Sequence, residues 1–208
     1  MAERRPIATR NTQWAQALAR TVAAAGISAN AVSIIGVGFA CIAAAAFAAT
    51  RTCDGWLAWV VAAAGIQGRL ICNMIDGMVA VEHRGATPTG ALYNDVPDRM
   101  ADTVVLVAAG YGIGQSSLGW ACAVAAMLTA YVRALGGALG TPQYFCGPQA
   151  KSQRMAVLTV AALIAAVCPR EIAEQLLLAA LSIVLAGSLI TVVRRLRLIA
   201  AELKARGA

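Results

Sequence analysis

The sequence predicts an all-α integral membrane protein with six transmembrane helices and an N-terminal amphipathic helix at the membrane interface. Of its 208 residues, 60% are hydrophobic and only 13% are charged, and the mean hydropathy is +0.69. The apolar residues fall into several runs of about 20, the length of helix that crosses a bilayer. Because no stretch is long and polar enough to fold separately in water, we predict one membrane domain.

Residues 1–25 are predicted to form the interfacial helix, and residues 26–208 the transmembrane domain. Three arginines open the chain, and Trp14, Leu18 and Val22 follow at helical spacing. Since no apolar run comes directly after the arginines, the segment is not a signal peptide. The pattern is typical of an amphipathic helix that lies in the membrane surface.

The apolar runs divide the rest of the chain into spans. The six predicted spans cover about residues 31–50, 56–81, 90–112, 118–139, 154–168 and 172–193. Pro97 lies in the third span and is expected either to kink that helix or to mark its first turn.

The basic residues predict the orientation of these spans. An even number of spans places both termini on one side, and that side collects most of the Lys and Arg residues outside the spans, whereas the opposite loops hold Arg51 and Arg170. Excess positive charge marks the cytoplasmic side. We therefore predict cytoplasmic termini in a bacterial-type inner or plasma membrane. Topology also accounts for the net charge of +7, so we expect membrane lipids as partners and no nucleic acid.

Polar side chains concentrate in one apolar stretch. The set comprises Asn73, Asp76, Asn94, Asp95, Asp98 and Asp102. Acids at membrane depth are costly and mark functional sites, and spacings of three and four residues place them on shared helix faces. Two acidic faces that meet need a cation between them, and oxygen ligands suit Mg²⁺, Mn²⁺ or Ca²⁺. Because Mg²⁺ usually completes its shell with substrate phosphates, we predict an enzyme acting on a pyrophosphate-containing substrate.

The predicted topology brings basic residues to the same depth. Asp76 and Asp98 lie near the cytoplasmic ends of the second and third spans, and Arg133, Lys151 and Arg154 lie at or near the cytoplasmic side as well. We therefore predict a cytoplasmic active site in which these bases bind a phosphorylated acceptor or lipid headgroups. The alternatives are that Arg133 snorkels to the interface and that the other two bases only set topology.

This stretch resembles the signature of the CDP-alcohol phosphotransferase family, D-x-x-D-G-x-x-A-R-x8-G-x-x-x-D-x-x-x-D. The second Asp of the signature corresponds to Asp76, which Gly77 and Ala80 follow. The later Gly corresponds to Gly90 and the last Asp to Asp98. The chain departs from the signature at three positions, where Asn73 and Asn94 replace Asp and Val81 replaces Arg.

The resemblance implies roles for these residues. In the family the aspartates hold metal ions around the cytidine diphosphate, and the last one is the proposed base. The implied ligands of Mg²⁺ (or Mn²⁺) are Asn73, Asp76, Asn94, Asp95 and Asp98. The implied nucleotide-binding residues are Asn73, Asp76, Gly77, Ala80 and Gly90. The asparagines imply one metal rather than two, or recruitment of Asp95, Asp102 or Glu82, and Asp98 would be the catalytic base.

The implied activity is a magnesium-dependent membrane transferase of phospholipid biosynthesis, acting as a homodimer. It would move a phosphatidyl or other substituted phosphate group from a CDP-alcohol to an alcohol or phosphorylated alcohol, and release CMP. Family frequency favours CDP-diacylglycerol as the donor.

Two other interpretations stay open. The run Asn94-Asp95-x-x-Asp98-x-x-x-Asp102 is similar to the first motif of UbiA-type prenyltransferases, which bind a prenyl pyrophosphate through Mg²⁺. However, the chain has fewer spans than that family and no second such motif. The other interpretation is a non-catalytic relative, in which the acids form structural pairs with residues such as Arg69 or Arg99.

Overall fold

The computed structural model describes residues 12–53, 55–82 and 89–207, and this part of the chain contains seven α-helices and no strand. The helices are α1 (Gln13–Ala24), α2 (Ala29–Ala49), α3 (Trp56–Glu82), α4 (Gly90–Gly112), α5 (Ser116–Ala138), α6 (Lys151–Ala165) and α7 (Arg170–Arg206). The first part of the predicted interfacial helix, residues 1–11 with their three arginines, lies outside the described residues.

Four of the helices in the described ranges, α2, α3, α5 and α7, are long and apolar enough to cross a membrane. The other two predicted spans are not among these four helices. Helix α4 is long enough, with 23 residues, but carries the acidic cluster, whereas α6 has only 15 residues. An all-α membrane chain is thus confirmed, and the number of crossings stays a prediction.

The predicted boundaries of the spans agree closely with α2 to α6, whereas α1 begins at Gln13, later than predicted, and α7 is longer than predicted. Helix α7 has 37 residues, which corresponds to about 55 Å at 1.5 Å per residue. Because a bilayer core is about 30 Å thick, α7 extends well beyond it, and the basic tail continues the helix. Pro97 lies inside α4, so the alternative that it marks the first turn is wrong.

The acidic helices lie at the centre of the bundle. Helix α2 packs against both α3 and α4, α3 also contacts α6, and α4 contacts α5, while α5 and α6 pack on α7. Helix α1 lies on α3 and buries Ala15 and Ala19. Large apolar side chains such as Ile34, Ile35 and Ile42 stay exposed on α2, as expected for surfaces that face lipid.

Close contact between α4 and α5 depends on two glycines. A Cβ atom built at Gly110 would lie 2.7 Å from the Gly119 Cα and from its backbone nitrogen. Such small residues let transmembrane helices approach through their backbones. The α4 backbone is therefore fixed against α5 at this point, which helps to hold the acidic half of α4 in position.

The Gly110→Ala variant is expected to lose about 1–3 kcal/mol of stability, because overpacking forces the two backbones apart. The melting temperature of the purified chain in detergent measures the effect. Gly38→Ala is the matched control, since a Cβ atom at Gly38 meets nothing within 4 Å. Equal melting temperatures for the two variants would contradict this account of the α4–α5 contact.

Candidate active site

A cleft of about 220 Å³ lies between α2, α3 and α4. Its lining residues are Ser33, Gly36, Val37, Arg69, Cys72, Asn73, Asp76, Pro97, Asp98 and Ala101. Asp76 and Asp98 thus face the same cleft, as the sequence predicted.

Asp76 is the more deeply buried acid of the cleft. Asp76 is 5% exposed, and its Oδ2 accepts a hydrogen bond of 2.8 Å from the Ser33 hydroxyl. Helices α2 and α3 can approach here because Gly36 has no side chain: a Cβ atom there would lie 3.2 Å from the Cys72 Cβ. In the described part of the chain, Asp76 has a hydroxyl partner but no ion pair.

Asp98 lies across the cleft on α4 and contacts several basic groups. Its Oδ1 accepts a hydrogen bond of 3.0 Å from Asn73 Nδ2 and lies 3.4 Å from Arg69 NH2. Its Oδ2 contacts the ammonium of Lys151 and lies 3.7 Å from Arg99 NH2. The side chain is 15% exposed, so it stays accessible to a small reactant.

Asp102, one turn further along α4, belongs to a buried ion network. Its Oδ1 lies 2.7 Å from Arg69 NH2, and its Oδ2 lies 2.9 Å from Arg154 NH2. Arg154 also donates to the Thr129 hydroxyl and to the Gln149 carbonyl. The acid and both arginines are at most 4% exposed. Asp102 therefore pairs with two buried arginines and ties α3, α4 and α6 together.

Asn94 and Asp95, two of the predicted metal ligands, lie outside the cleft lining. Asn94 is exposed on α4. Asp95 has a half-exposed side chain, and its Oδ1 lies 3.0 Å from Arg133 NH2 and 3.9 Å from Arg99 NH2. Their metal-binding roles stay predictions.

The three bases predicted to bind an acceptor phosphate each contact a different carboxylate. Arg133 contacts Asp95 and lies over the Phe145 ring, with its guanidinium carbon 5.4 Å from the ring centroid. The partner of Lys151 is Asp98, and the partner of Arg154 is Asp102. The structure thus places these bases beside the acids of α4, and their role toward an acceptor stays a prediction.

The small residues of the signature flank the cleft without lining it. Gly77 and Ala80 follow Asp76 on α3 and are partly exposed, and Gly90 is the first residue of α4. Nucleotide binding at these positions stays a prediction. The side chains of Val81 and Glu82 are not among the parts of the chain that the structure describes.

The contribution of α2 to the cleft was not predicted. Ser33 and Gly36 line the cleft together with Val37. A hydroxyl residue three positions before a glycine in an apolar helix is a weak signal for a cleft, because both residues are common at helix contacts.

The donor set of the cleft fits one divalent cation. In the described ranges, no three His, Cys, Asp or Glu side chains come together as a metal site. The cleft instead combines two carboxylates with the Asn73 amide and the Ser33 hydroxyl, and such oxygen donors suit a hard cation. Since Asp98 already contacts basic side chains, the Asp76 side is the better place for it.

The fold is that of an enzyme of the CDP-alcohol phosphotransferase family, which confirms the predicted resemblance at the level of the fold. The chain is similar to phosphatidylinositol phosphate synthase of Mycobacterium tuberculosis, with 21% sequence identity. In the structure with CDP-DAG bound, the match covers 90% of this chain and 94% of that chain, with a TM-score of 0.76. No protein-family model and no curated protein matches the chain.

Two further structures of the same synthase give similar values. The complex with manganese and citrate matches over 89% of this chain and 88% of that chain, with a TM-score of 0.75. The apo form matches over 86% and 93%, with a TM-score of 0.70.

Proposed function

We propose that the chain is a CDP-alcohol phosphatidyltransferase of phospholipid biosynthesis. The observation that carries the proposal is that Asp76 and Asp98, from two different helices, line one cleft. This cleft lies in a fold shared over about nine-tenths of the chain with a synthase whose structure holds CDP-DAG. CDP-diacylglycerol is accordingly the proposed donor.

The proposal includes the arrangement of the chain in the membrane. Helices α2 to α7 would form six spans, with α1 at the interface and the cleft facing the cytoplasm together with both termini. Two features support this: α1 exposes Trp14 and Leu18 while it packs on α3, and α7 ends in a basic segment. We further propose that the enzyme is a homodimer.

A divalent cation, Mg²⁺ or Mn²⁺, is the proposed cofactor. Asp76 would hold it with Ser33 as a further oxygen donor, since the amide oxygen of Asn73 accepts from Lys151. The cation would neutralise the pyrophosphate and stabilise the leaving CMP. The burial of Asp76 restricts water around the cleft, which strengthens electrostatic interactions there.

Asp98 is the proposed general base. An acceptor hydroxyl would attack the phosphorus on the lipid side of the pyrophosphate, the bond from that phosphorus to the bridging oxygen would break, and CMP would leave with the bridging oxygen. The hydroxyl proton would pass to Asp98. This residue suits the role because its carboxylate lines the cleft and stays partly accessible, and a positioned base typically contributes about 10²–10⁴-fold in rate.

Arg133 and Lys151 are the proposed contacts for a phosphate on the acceptor, with Arg154 as a buried neighbour. The side chains of Arg133 and Lys151 are 21% and 15% exposed, whereas that of Arg154 is 1% exposed. The first two are therefore more accessible to a ligand.

The test is incubation of the purified chain with radiolabelled CDP-diacylglycerol, Mg²⁺ or Mn²⁺ and a panel of alcohols and phosphorylated alcohols. We expect a new phospholipid and CMP with at least one acceptor, and neither product with Asp76→Ala. Turnover of a prenyl pyrophosphate instead would favour the prenyltransferase alternative. A folded chain that turns over neither donor would favour the non-catalytic one.

A further inference from the structure

The ammonium of Lys151 contacts two oxygen atoms that belong to residues of the cleft. It contacts Asp98 Oδ2 and donates a hydrogen bond of 2.6 Å to Asn73 Oδ1. Asn73 and Asp98 both line the cleft. A carboxylate oxygen and an amide carbonyl oxygen are the donors that a hard divalent cation takes in proteins, so the ammonium is bound by a metal-like set of oxygens.

The amide of Asn73 is matched to this arrangement. Its carbonyl oxygen accepts from Lys151, and its Nδ2 donates to Asp98 Oδ1 at 3.0 Å. An aspartate at position 73 would have no N–H to donate, and two adjacent carboxylates repel each other unless further positive charge is present. The asparagine therefore suits a site in which Lys151 and its neighbouring arginines, and not a second metal ion, neutralise Asp98.

The two acids of the cleft thus differ in their surroundings. Asp98 contacts the ammonium of Lys151 and also lies 3.4 Å from Arg69 NH2. Asp76 accepts a hydrogen bond from Ser33 and has no ion pair within the described ranges. Within the described ranges, Arg69 and Lys151 form ion pairs with Asp98 and not with Asp76, which leaves Asp76 for an external cation.

We propose that Lys151 replaces one of the two divalent cations that the family signature implies, so that the cleft binds one divalent cation, at Asp76, beside a resident ammonium. This inference rests on the proposed function. A lysine is a suitable substitute because its ammonium is a compact point charge with three donor hydrogens and binds phosphates in many sites.

The test counts the Mn²⁺ ions bound per chain, from the electron paramagnetic resonance signal of free Mn²⁺ in equilibrium with the purified chain in nanodiscs. We expect one ion on the unsubstituted chain and two on the double variant Asn73→Asp/Lys151→Met, which exchanges the ammonium for a third carboxylate in the cleft. Lys204→Met is the matched control, because Lys204 is exposed at the end of α7, and we expect one ion.

Two ions on the unsubstituted chain would overturn the role of Lys151 and leave the proposed function intact. One ion on a double variant that elutes and melts like the unsubstituted chain would also overturn it. If the double variant does not fold, the unsubstituted chain decides: one ion supports the inference and two reject it. Absence of Mn²⁺ binding together with absence of CDP-diacylglycerol binding would remove the proposed function and this inference with it.

Discussion

The Asp98→Asn variant is expected to release CMP from CDP-diacylglycerol at least about 100-fold more slowly than the unsubstituted chain. The amide has the shape of the carboxylate but cannot accept the hydroxyl proton, and loss of a positioned base typically costs about 10²–10⁴-fold in rate. Binding of CDP-diacylglycerol should change little, because Asp76 on α3 keeps its place beside Ser33. Single-turnover CMP release and equilibrium binding measure the two effects separately.

The melting temperature of Asp98→Asn serves as a control, because the substitution also removes the charge beside Lys151 and Arg69. A folded variant that still turns over at the unsubstituted rate would reject Asp98 as the base. A variant that loses binding and turnover together would assign Asp98 to the binding of the donor instead.

The Asp102→Asn variant is expected to lose about 3–5 kcal/mol of stability, the usual cost of leaving a buried charge without its partner. Asp102 lies between Arg69 and Arg154, and all three side chains are at most 4% exposed. An asparagine would keep the shape, but it would leave Arg154 without its carboxylate and Arg69 with Asp98 alone. For a chain of this size the loss corresponds to a fall of roughly 6–20 °C in melting temperature.

Glu202→Gln is the matched control for Asp102→Asn. Glu202 lies 3.1 Å from Arg206 in an exposed pair on α7, and such pairs contribute about 0–1 kcal/mol. We expect its melting temperature to stay within about 4 °C of the unsubstituted value. A similarly small effect in Asp102→Asn would show that the buried arginines do not depend on this acid.

The helices were predictable from the sequence because the bilayer imposes a strong pattern. Runs of about 20 apolar residues, ended by polar links, predict both ends of α4 correctly and the ends of α2, α3, α5 and α6 to within a few residues. The C-terminal extension of α7 was missed because hydropathy marks where a helix leaves the membrane and not where it ends. Helix α6, with 15 residues, shows that a helix of a membrane bundle can be shorter than the usual span.

The site was predictable only in part. Asp76 and Asp98 were placed on the same cleft because the spacing along α3 and α4 fixes which faces carry them. The partner of each base was not predictable, because ion pairs such as Lys151 with Asp98 join residues on helices that are distant in sequence. The interpretation of Arg133, Lys151 and Arg154 as one phosphate-binding group rested on membrane depth alone, and depth does not determine which acid each base meets.

The central claim is that Asp76 and Asp98 form one site where a divalent cation binds the phosphates of a CDP-linked lipid. The most direct measurement is the melting temperature of the purified chain with CDP-diacylglycerol, in Mn²⁺ and in EDTA, for the unsubstituted chain and for Asp76→Asn. A ligand at 100 times its Kd stabilises a protein by about 2.7 kcal/mol, so we predict a clear rise in Mn²⁺ that is lost in EDTA and in the variant. An equal rise under all of these conditions, or no rise in the unsubstituted chain, would contradict the claim.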